Sequence, residues 1–294
     1  MKKYYVLYNP LSNNKRGEED TKKLESFVKD ASLTYCDMTK IDDTVSFLKD
    51  VPEDTDVILS GGDGTINRFI NAISGMELDR EIYYFATGTG NDFLTDIGVS
   101  KGCELVPVKK YIENLPVVEV KGKKYKFLNN VGFGIDGYCC EIGDEKRAAG
   151  EQKINYTAIA IKGLLGGYKR VCAKVTIDGV TRNYKNVWLA PSMNGRYVGG
   201  GMMACPEQDR LCEDGKVSVM VMYHPSKLKT LMVFPKIFKG EHVKHTDMVD
   251  QFKGYEIEVE FDRPTALQID GETILNVTSY TARLNACIKK LGKC

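Results

Sequence analysis

The chain has 294 residues, 43% of them hydrophobic and 28% charged, and its 41 basic and 40 acidic side chains leave a formal net charge of +1. That is enough apolar material for two modest domains, or one large one, and too much for a disordered chain; any electrostatic steering must come from local patches, and no nucleic-acid partner is expected. Nine cysteines, an odd number without a CxxC pair, read as free thiols of a reducing cytosol, and neither a signal peptide nor the run of roughly 20 apolar residues needed to span a membrane is expected.

The first third alternates short apolar runs with helical patterns. Residues 4–8 read as a buried strand ending in Asn9-Pro10. A helix is expected over 18–29, with Leu24, Phe27 and Val28 in register, and another over 42–50 around Val45 and Leu48. The strand 56–60 runs into Gly61-Gly62-Asp63-Gly64-Thr65, followed by a helix over 66–74. The strand 82–86 then runs into Gly88-Thr89-Gly90-Asn91-Asp92. Strands alternating with helices predict crossover units and a parallel sheet. Beyond residue 115 the pattern changes to strands over 117–120, 125–131, 171–177, 183–190, 216–223, 255–261 and 267–269, with Val-x-Val alternation. Helical inserts are expected over 153–169 and 226–238. The expected architecture is an α/β nucleotide-type domain over 1–115 and a β-sandwich domain over 116–282, with 283–294 open to rejoining the first.

The glycine loops carry the chemistry. Three glycines within Gly61–Gly64 let backbone N–H groups approach an anion without Cβ clashes, and the helix that follows favours negative charge at its start. Thr65 adds a hydroxyl and Asn67 a carboxamide; Asp63 would repel bare phosphate and meets it better through Mg²⁺ or water. A tight strand-to-helix turn without a ligand is the alternative. Gly88 and Thr89 open a second loop of the same kind, so two phosphate-shaped loops would share the carboxyl edge of one sheet. Neither fits the P-loop or the protein-kinase motifs.

These residues resemble the diacylglycerol kinase catalytic-domain superfamily, especially its bacterial soluble lipid kinases. The similar stretches are Tyr8-Asn9-Pro10-Leu11-Ser12 (with Asn13 where glycine is common), Gly61 to Asn67, Gly88 to Phe93, Asp214-Gly215 and Ile269-Asp270-Gly271-Glu272. The resemblance implies a Rossmann-like, NAD kinase/diacylglycerol kinase-like nucleotide-binding domain, a β-sandwich domain, and an active site in the cleft between them. It implies ATP contacts at Asn9, Ser12, Thr39, Gly61, Gly62, Asp63, Gly64, Thr65, Asn67, Gly88 and Thr89. Glu272 would be the general base for the acceptor hydroxyl, with Asp63 and Asp92 orienting Mg²⁺·ATP; an exposed Asp-Gly-Glu hairpin turn is the plainer reading of Glu272. A structural Mg²⁺ would be held by the Leu211 carbonyl, the Asp214 carboxylate and the Lys216 carbonyl, against a simple turn before the next strand. Glu119 stands where many members have aspartate, which leaves the link from that metal to the active site open.

The resemblance further implies transfer of the γ-phosphoryl group of ATP to a lipid hydroxyl, diacylglycerol first, by a cytoplasmic enzyme that touches the membrane surface during turnover. An NAD kinase-like activity and a catalytically silent lipid- or nucleotide-binding protein are the alternatives. His242 and His245 read as a surface pair lacking a third metal ligand. The lysine-bearing helix near 226–238 could touch an anionic membrane or cover the sandwich core. Gly199-Gly200-Gly201 could admit a headgroup or relieve a strand bend. A homodimer is neither demanded nor excluded.

Overall fold

The computed structural model describes residues 1–88, 90–100, 104–151 and 153–284, and the chain divides into two compact units, Met1–Asn114 and Leu115–Cys294. In the first, strands β1 (Lys2–Tyr8), β2 (Ala31–Asp37), β3 (Thr55–Gly61), β4 (Ile82–Ala86) and β5 (Val106–Pro107) form a sheet in the order β2-β1-β3-β4-β5, parallel except for β5. Val6, Val57, Ile58, Leu59 and Ile82 are fully buried, as parallel strands covered on both faces require. Tyr8 lies opposite Asp37 and Ser60, and Gly61 opposite Ala86, so the four parallel strands end level. Between them run helices α1 (Gly17–Lys22), α2 (Thr44–Asp50), α3 (Asp63–Ala72) and α4 (Asp92–Asp96).

Three features depart from the sequence-based expectations. The helix expected over 18–29 ends at Lys22 and tightens into a 3-10 turn over Lys23–Ser26. The strand β2 was not anticipated, because Ala-Ser-Leu-Thr-Tyr-Cys-Asp is an edge strand with no fully buried residue and lacks an apolar run. Helix α3 begins at Asp63, with Gly62 as its extended N-cap, so the glycine loop itself supplies the first helical turn.

The second unit is β-rich. Its principal strands are β6 (Pro116–Val120), β7 (Lys123–Lys126), β8 (Asn130–Phe133), β9 (Val171–Ile177), β10 (Val180–Leu189) and β11 (Ser192–Met193). They continue through the small hairpin β12 (Tyr197–Val198) and β13 (Met202–Met203) to β14 (Val217–Tyr223), β15 (Val249–Gly254), β16 (Glu256–Ile269) and β17 (Glu272–Leu284). The two runs expected over 255–261 and 267–269 are one 14-residue strand, β16. Its first half pairs with β9 and its second with β8, while β17 follows it along the other side. The register shifts between Glu260 and Thr265, around Pro264, which has no N–H to give a ladder. This one strand closes the sheet back on itself around a core that includes Phe133, Val175, Val219, Val259 and Leu267. Glu272–Leu284, a strand of 13 residues, had no counterpart in the sequence-based expectation. Neither had helix α5 (Ile135–Ala148): its buried face is Ile135, Cys139 and Gly143, too small a stripe to read as amphipathic. The helical inserts are α6 (Tyr156–Lys162), which runs into a wide turn over Gly163–Gly167, and α7 (Lys227–Val233), which runs into a 3-10 turn bearing Pro235.

Candidate functional site

In the first unit the site residues converge because the sheet order reverses. β1 sits between β2 and β3, and in open α/β sheets ligands bind beyond the carboxyl ends at such a switch point. From one side to the other, that edge carries Thr39 after β2, Asn9 and Ser12 after β1, Gly61–Asn67 after β3, and Gly88 and Asp92 after β4. Thr89 lies outside the described residues. The Asn9 N–H donates to Ser60 O (3.2 Å), bridging the two strands that flank the switch. The Asn9 side chain accepts from Leu11 N (3.0 Å), and its carbonyl accepts from Ser12 N (3.1 Å).

The turn after Ser12 is left-handed: Asn13, Asn14 and Lys15 have φ of 47°, 57° and 67°. Asparagine is among the side chains that best tolerate this region, so Asn13 can replace a glycine there. Asn13 Nδ2 is held by the buried Asp20 carboxylate at 2.6 Å, which also takes Lys23 Nζ at 2.5 Å. Burial pushes the Asp20 carboxyl up, but its bonds to Lys23 and Asn13 and the nearby Arg16 outweigh this and leave it below the usual carboxylate value. Asp20 was not among the sequence candidates; only a three-dimensional turn brings it to Asn13.

The two glycine loops are pressed together. The Gly61 carbonyl accepts from Thr87 N (2.8 Å), Gly88 N (2.8 Å) and the Tyr84 hydroxyl (3.0 Å). Burial, with the charge of Asp63 adding to it, keeps that phenol well above its ordinary pKa, so it stays a donor. A Cβ on Gly88 would lie 2.3 Å from Gly62 Cα, and one on Gly61 would lie 2.0 Å from Thr65 Oγ1. Asp63 Oδ2 accepts from the N–H groups of Asp92 (2.9 Å) and Phe93 (3.4 Å), which fastens the start of α4 to the start of α3. Asp63 is therefore a brace between the loops as well as a candidate for Mg²⁺·ATP. Asn67 and Asp92 are buried, and Asn67 accepts from Asn71 Nδ2. Thr39 lies in a short 3-10 turn capped by Asp37, its N–H and hydroxyl both donating to Asp37 Oδ1. Among the described residues, the Ser12 and Thr87 hydroxyl oxygens are buried with no hydrogen-bond partner. Unpartnered buried hydroxyls beside a glycine cradle fit a phosphate-bearing ligand such as ATP.

In the second unit, Asp270 and Gly271 form the two-residue turn between β16 and β17, with φ of 46° and 95° and with Ile269 paired to Glu272. Positive φ at both central residues is the hairpin geometry that Asp-Gly favours. The Asp270 carboxylate accepts from the N–H groups of Leu128, Asn129 (2.8 Å) and Asn130 (3.0 Å). Gly271 N donates to Gln268 Oε1 (2.7 Å), and Gln268 Nε2 donates to Asp136 Oδ2 (2.7 Å). A Cβ on Gly132 would lie 1.8 Å from that same oxygen. Thr273 Oγ1 donates to Asp144 Oδ2 on α5 (2.6 Å). Glu272 is exposed, and among the described residues its carboxylate has no hydrogen bond or ion pair, so the rigid turn presents it to solvent. Gln268 and Asp136, which support this turn, had no local sequence signal.

The segment proposed to hold a structural metal closes on itself. Asp214 Oδ1 accepts from Lys216 N (3.1 Å), and the Lys216 carbonyl accepts from Gln208 Nε2 (3.3 Å) and Cys212 Sγ (3.4 Å). The Lys216 N–H bond holds the Asp214 carboxyl below its usual value against a smaller effect of burial. Leu211 donates its N–H to Asp209 Oδ1 (2.9 Å). Glu119 is occupied by Arg283 (3.5 Å) and Lys124 (4.0 Å). Asp214 and Lys216 are thus tied to groups nearby in the chain, and no cluster of three or more His, Cys, Asp or Glu side chains that could hold a metal occurs among the described residues. Gly199, Gly200 and Gly201, at φ of 62°, 83° and 108°, make the turn between β12 and β13. His242 is buried, with Nε2 near Ala204 O (3.0 Å), rather than at the surface as expected. Among the described residues no helix is long and apolar enough to cross a membrane, and the six described cysteines are free.

Residues 3–117 match the model of the diacylglycerol kinase catalytic domain, and residues 129–287 match that of the YegS C-terminal NAD kinase beta sandwich-like domain. A diacylglycerol kinase of Mycobacterium tuberculosis is 26% identical over 195 residues, which cover 64% of this chain and 61% of that protein. The chain therefore spans less than two thirds of that relative's length. A protein of Alcanivorax borkumensis named "Probable lipid kinase YegS-like" is 26% identical over 229 residues, covering 76% of this chain and 73% of the relative. The crystal structure of a diacylglycerol kinase from Bacillus anthracis shares the fold, with a TM-score of 0.63 at 21% identity over 95% of this chain and 93% of that one.

Proposed function

The chain belongs to the diacylglycerol kinase-like family of bacterial lipid kinases, and on that premise we propose that it transfers the γ-phosphoryl group of ATP to the hydroxyl of a lipid, with diacylglycerol as acceptor and phosphatidic acid as product. The observation that carries this reading is the carboxyl edge of the first unit. Two glycine loops in backbone contact lie beside two buried hydroxyls, Ser12 and Thr87, that have no hydrogen-bond partner among the described residues.

In this reading the backbone N–H groups at the start of α3 and the hydroxyls of Ser12, Thr65 and Thr87 bind the phosphates of ATP. Gly61, Gly62, Gly64 and Gly88 keep side chains out of the cradle, Asn9 and Asn67 bind from its flanks, and Asp63 and Asp92 orient the nucleotide. Mg²⁺, which Asp63 and Asp92 would help to hold with the nucleotide, would neutralise negative charge on its phosphates. The acceptor oxygen bonds to the γ-phosphorus as the bond from that phosphorus to the β–γ bridging oxygen breaks, and ADP leaves. Glu272 takes the hydroxyl proton; its contribution lies mainly in orienting the acceptor, since phosphoryl transfer needs little covalent help.

The test is ATP consumption with Mg²⁺ and diacylglycerol in mixed micelles, with NAD as a control acceptor. Wild type is expected to phosphorylate the lipid, and Glu272→Gln to retain ATP binding while kcat falls by about 10²–10⁴. Turnover on NAD alone, or undiminished turnover in Glu272→Gln, would overturn the assignment.

A further inference from the structure

Helix α6 with its following turn, and α7 with its own, each bury one apolar face and leave another in water. Leu164 and Val233 are buried in the second unit's core, whereas their neighbours Leu165 and Met232 are each 61% exposed. Leu228 is 68% exposed and Ile161 47%. Ile161 and Leu165 are four residues apart, as are Leu228 and Met232, so each pair shares one face of its segment. The segments are joined directly, because Lys227 Nζ donates to the Leu165 carbonyl at 3.2 Å. The inward faces already serve the core, so covering it does not explain the outward ones. Single exposed apolar residues need no explanation; two adjoining outward faces of large ones do.

Charge identifies the occupant. Over the whole chain acids and bases nearly cancel, yet residues 153–170 carry four cationic side chains and no carboxylate, and residues 224–240 repeat that count. Lys229 pairs with Asp247, and Lys236 Nζ lies 2.8 Å from His245 Nε2. Lys162, Lys227 and Lys239 are exposed, and among the described residues they pair with no carboxylate. Lysine heads around an apolar crown match the interface of an anionic bilayer, where the crown enters the acyl boundary and the ammonium groups meet lipid phosphates. A second copy of this chain meeting it face to face would bring the same positive charge and repel.

We propose that the outward faces of α6 and α7 form the surface on which this protein docks to anionic membranes. The proposal rests on the reading of the chain as a lipid kinase, since it supplies the route from water to a membrane-borne acceptor. The test is sedimentation of the full chain with vesicles of phosphatidylglycerol and phosphatidylcholine, and of phosphatidylcholine alone. Wild type is expected to bind the mixed vesicles and to lose that binding in high salt. Leu165→Asp with Leu228→Asp, both exposed positions that should fold normally, is expected to weaken binding by about tenfold or more. Turnover of a short-chain diacylglycerol dispersed as monomers is expected to stay at the wild-type level.

Wild-type protein that ignores anionic vesicles would overturn the proposal, and so would a double variant that binds them unchanged. A double variant whose oligomeric state changes while its vesicle binding does not would assign the face to a second copy instead. Vesicle binding lost in the double variant, with no lipid phosphorylated by wild type, would uphold the docking surface and sink the kinase reading.

Discussion

The glycines at the two candidate regions are used for different physical reasons. At the carboxyl edge of the first unit, Gly61 and Gly88 have ordinary backbone angles and are required for closeness, with Gly88 meeting Gly62 backbone to backbone. At the turn between β16 and β17 nothing lies within 4 Å of a Cβ on Gly271, and glycine is required by its φ of 95°. The first region is a packed cradle that leaves no room for a Cβ at Gly61 or Gly88. The second is an open turn whose shape depends on handedness and on the Asp270 carboxylate. Substitution should therefore separate collision from strain.

The largest effect is expected at the anchor of the open turn. Asp270→Ala removes the acceptor for three backbone N–H groups, all on buried residues: Leu128, Asn129 and Asn130. A loss of about 3–5 kcal/mol in denaturant unfolding is expected; a loss under about 1 kcal/mol would mean that water replaces the carboxylate and the turn is not built on it. Next, Gly88→Ala should cost about 1–3 kcal/mol, because backbone on the opposing loop cannot rotate away as a side chain would. Smaller again is Gly271→Ala, at about 1–2 kcal/mol from φ alone, with Gly271→Asn recovering most of it. Equal losses for alanine and asparagine would show that space, rather than handedness, governs that turn too.

The smallest effect concerns pH. Because the Asp20 carboxyl titrates below its ordinary value in the folded chain, the stability it contributes is present above about pH 4 and is lost as pH falls through the folded value. Asp20→Asn should be less stable than wild type at neutral pH, and the gap should close in acid. Urea unfolding at pH 7 and at pH 3 measures this. A gap that persists unchanged in acid would remove the charge from the explanation.

The same contrast explains what could be read from the sequence. The cradle residues sit in contiguous runs that follow buried strands, so Gly61–Asn67 and Gly88 were legible as two glycine loops at neighbouring strand ends without any knowledge of pairing. The turn Asp270-Gly271 was legible as a hairpin for the same local reason. What supports these features was not legible. Asp20 reaches Asn13 only through a left-handed turn, and Gln268 reaches Asp136 only because α5 lies on β16. That packing depends on Gly137, where a Cβ would lie 2.0 Å from Ala266 O. Helix α5 lacked an apolar stripe for that reason: its contact face is made of small residues. β2 escaped because an edge strand needs no continuous apolar run. The expectation at Leu211, Asp214 and Lys216 rested on motif order; there the Lys216 N–H donates to Asp214, and the Lys216 carbonyl accepts from Gln208 and Cys212.

The most direct test of the cradle is equilibrium ATP binding to Gly88→Ala and Gly271→Ala beside wild type, each confirmed as folded by circular dichroism. The account predicts that Gly88→Ala loses about tenfold or more in ATP affinity, a change of at least about 1.4 kcal/mol, while Gly271→Ala stays within about twofold of wild type. ATP binding undiminished by a methyl group at Gly88, or weakened equally by one at Gly271, would contradict the assignment of the nucleotide to the paired glycine loops.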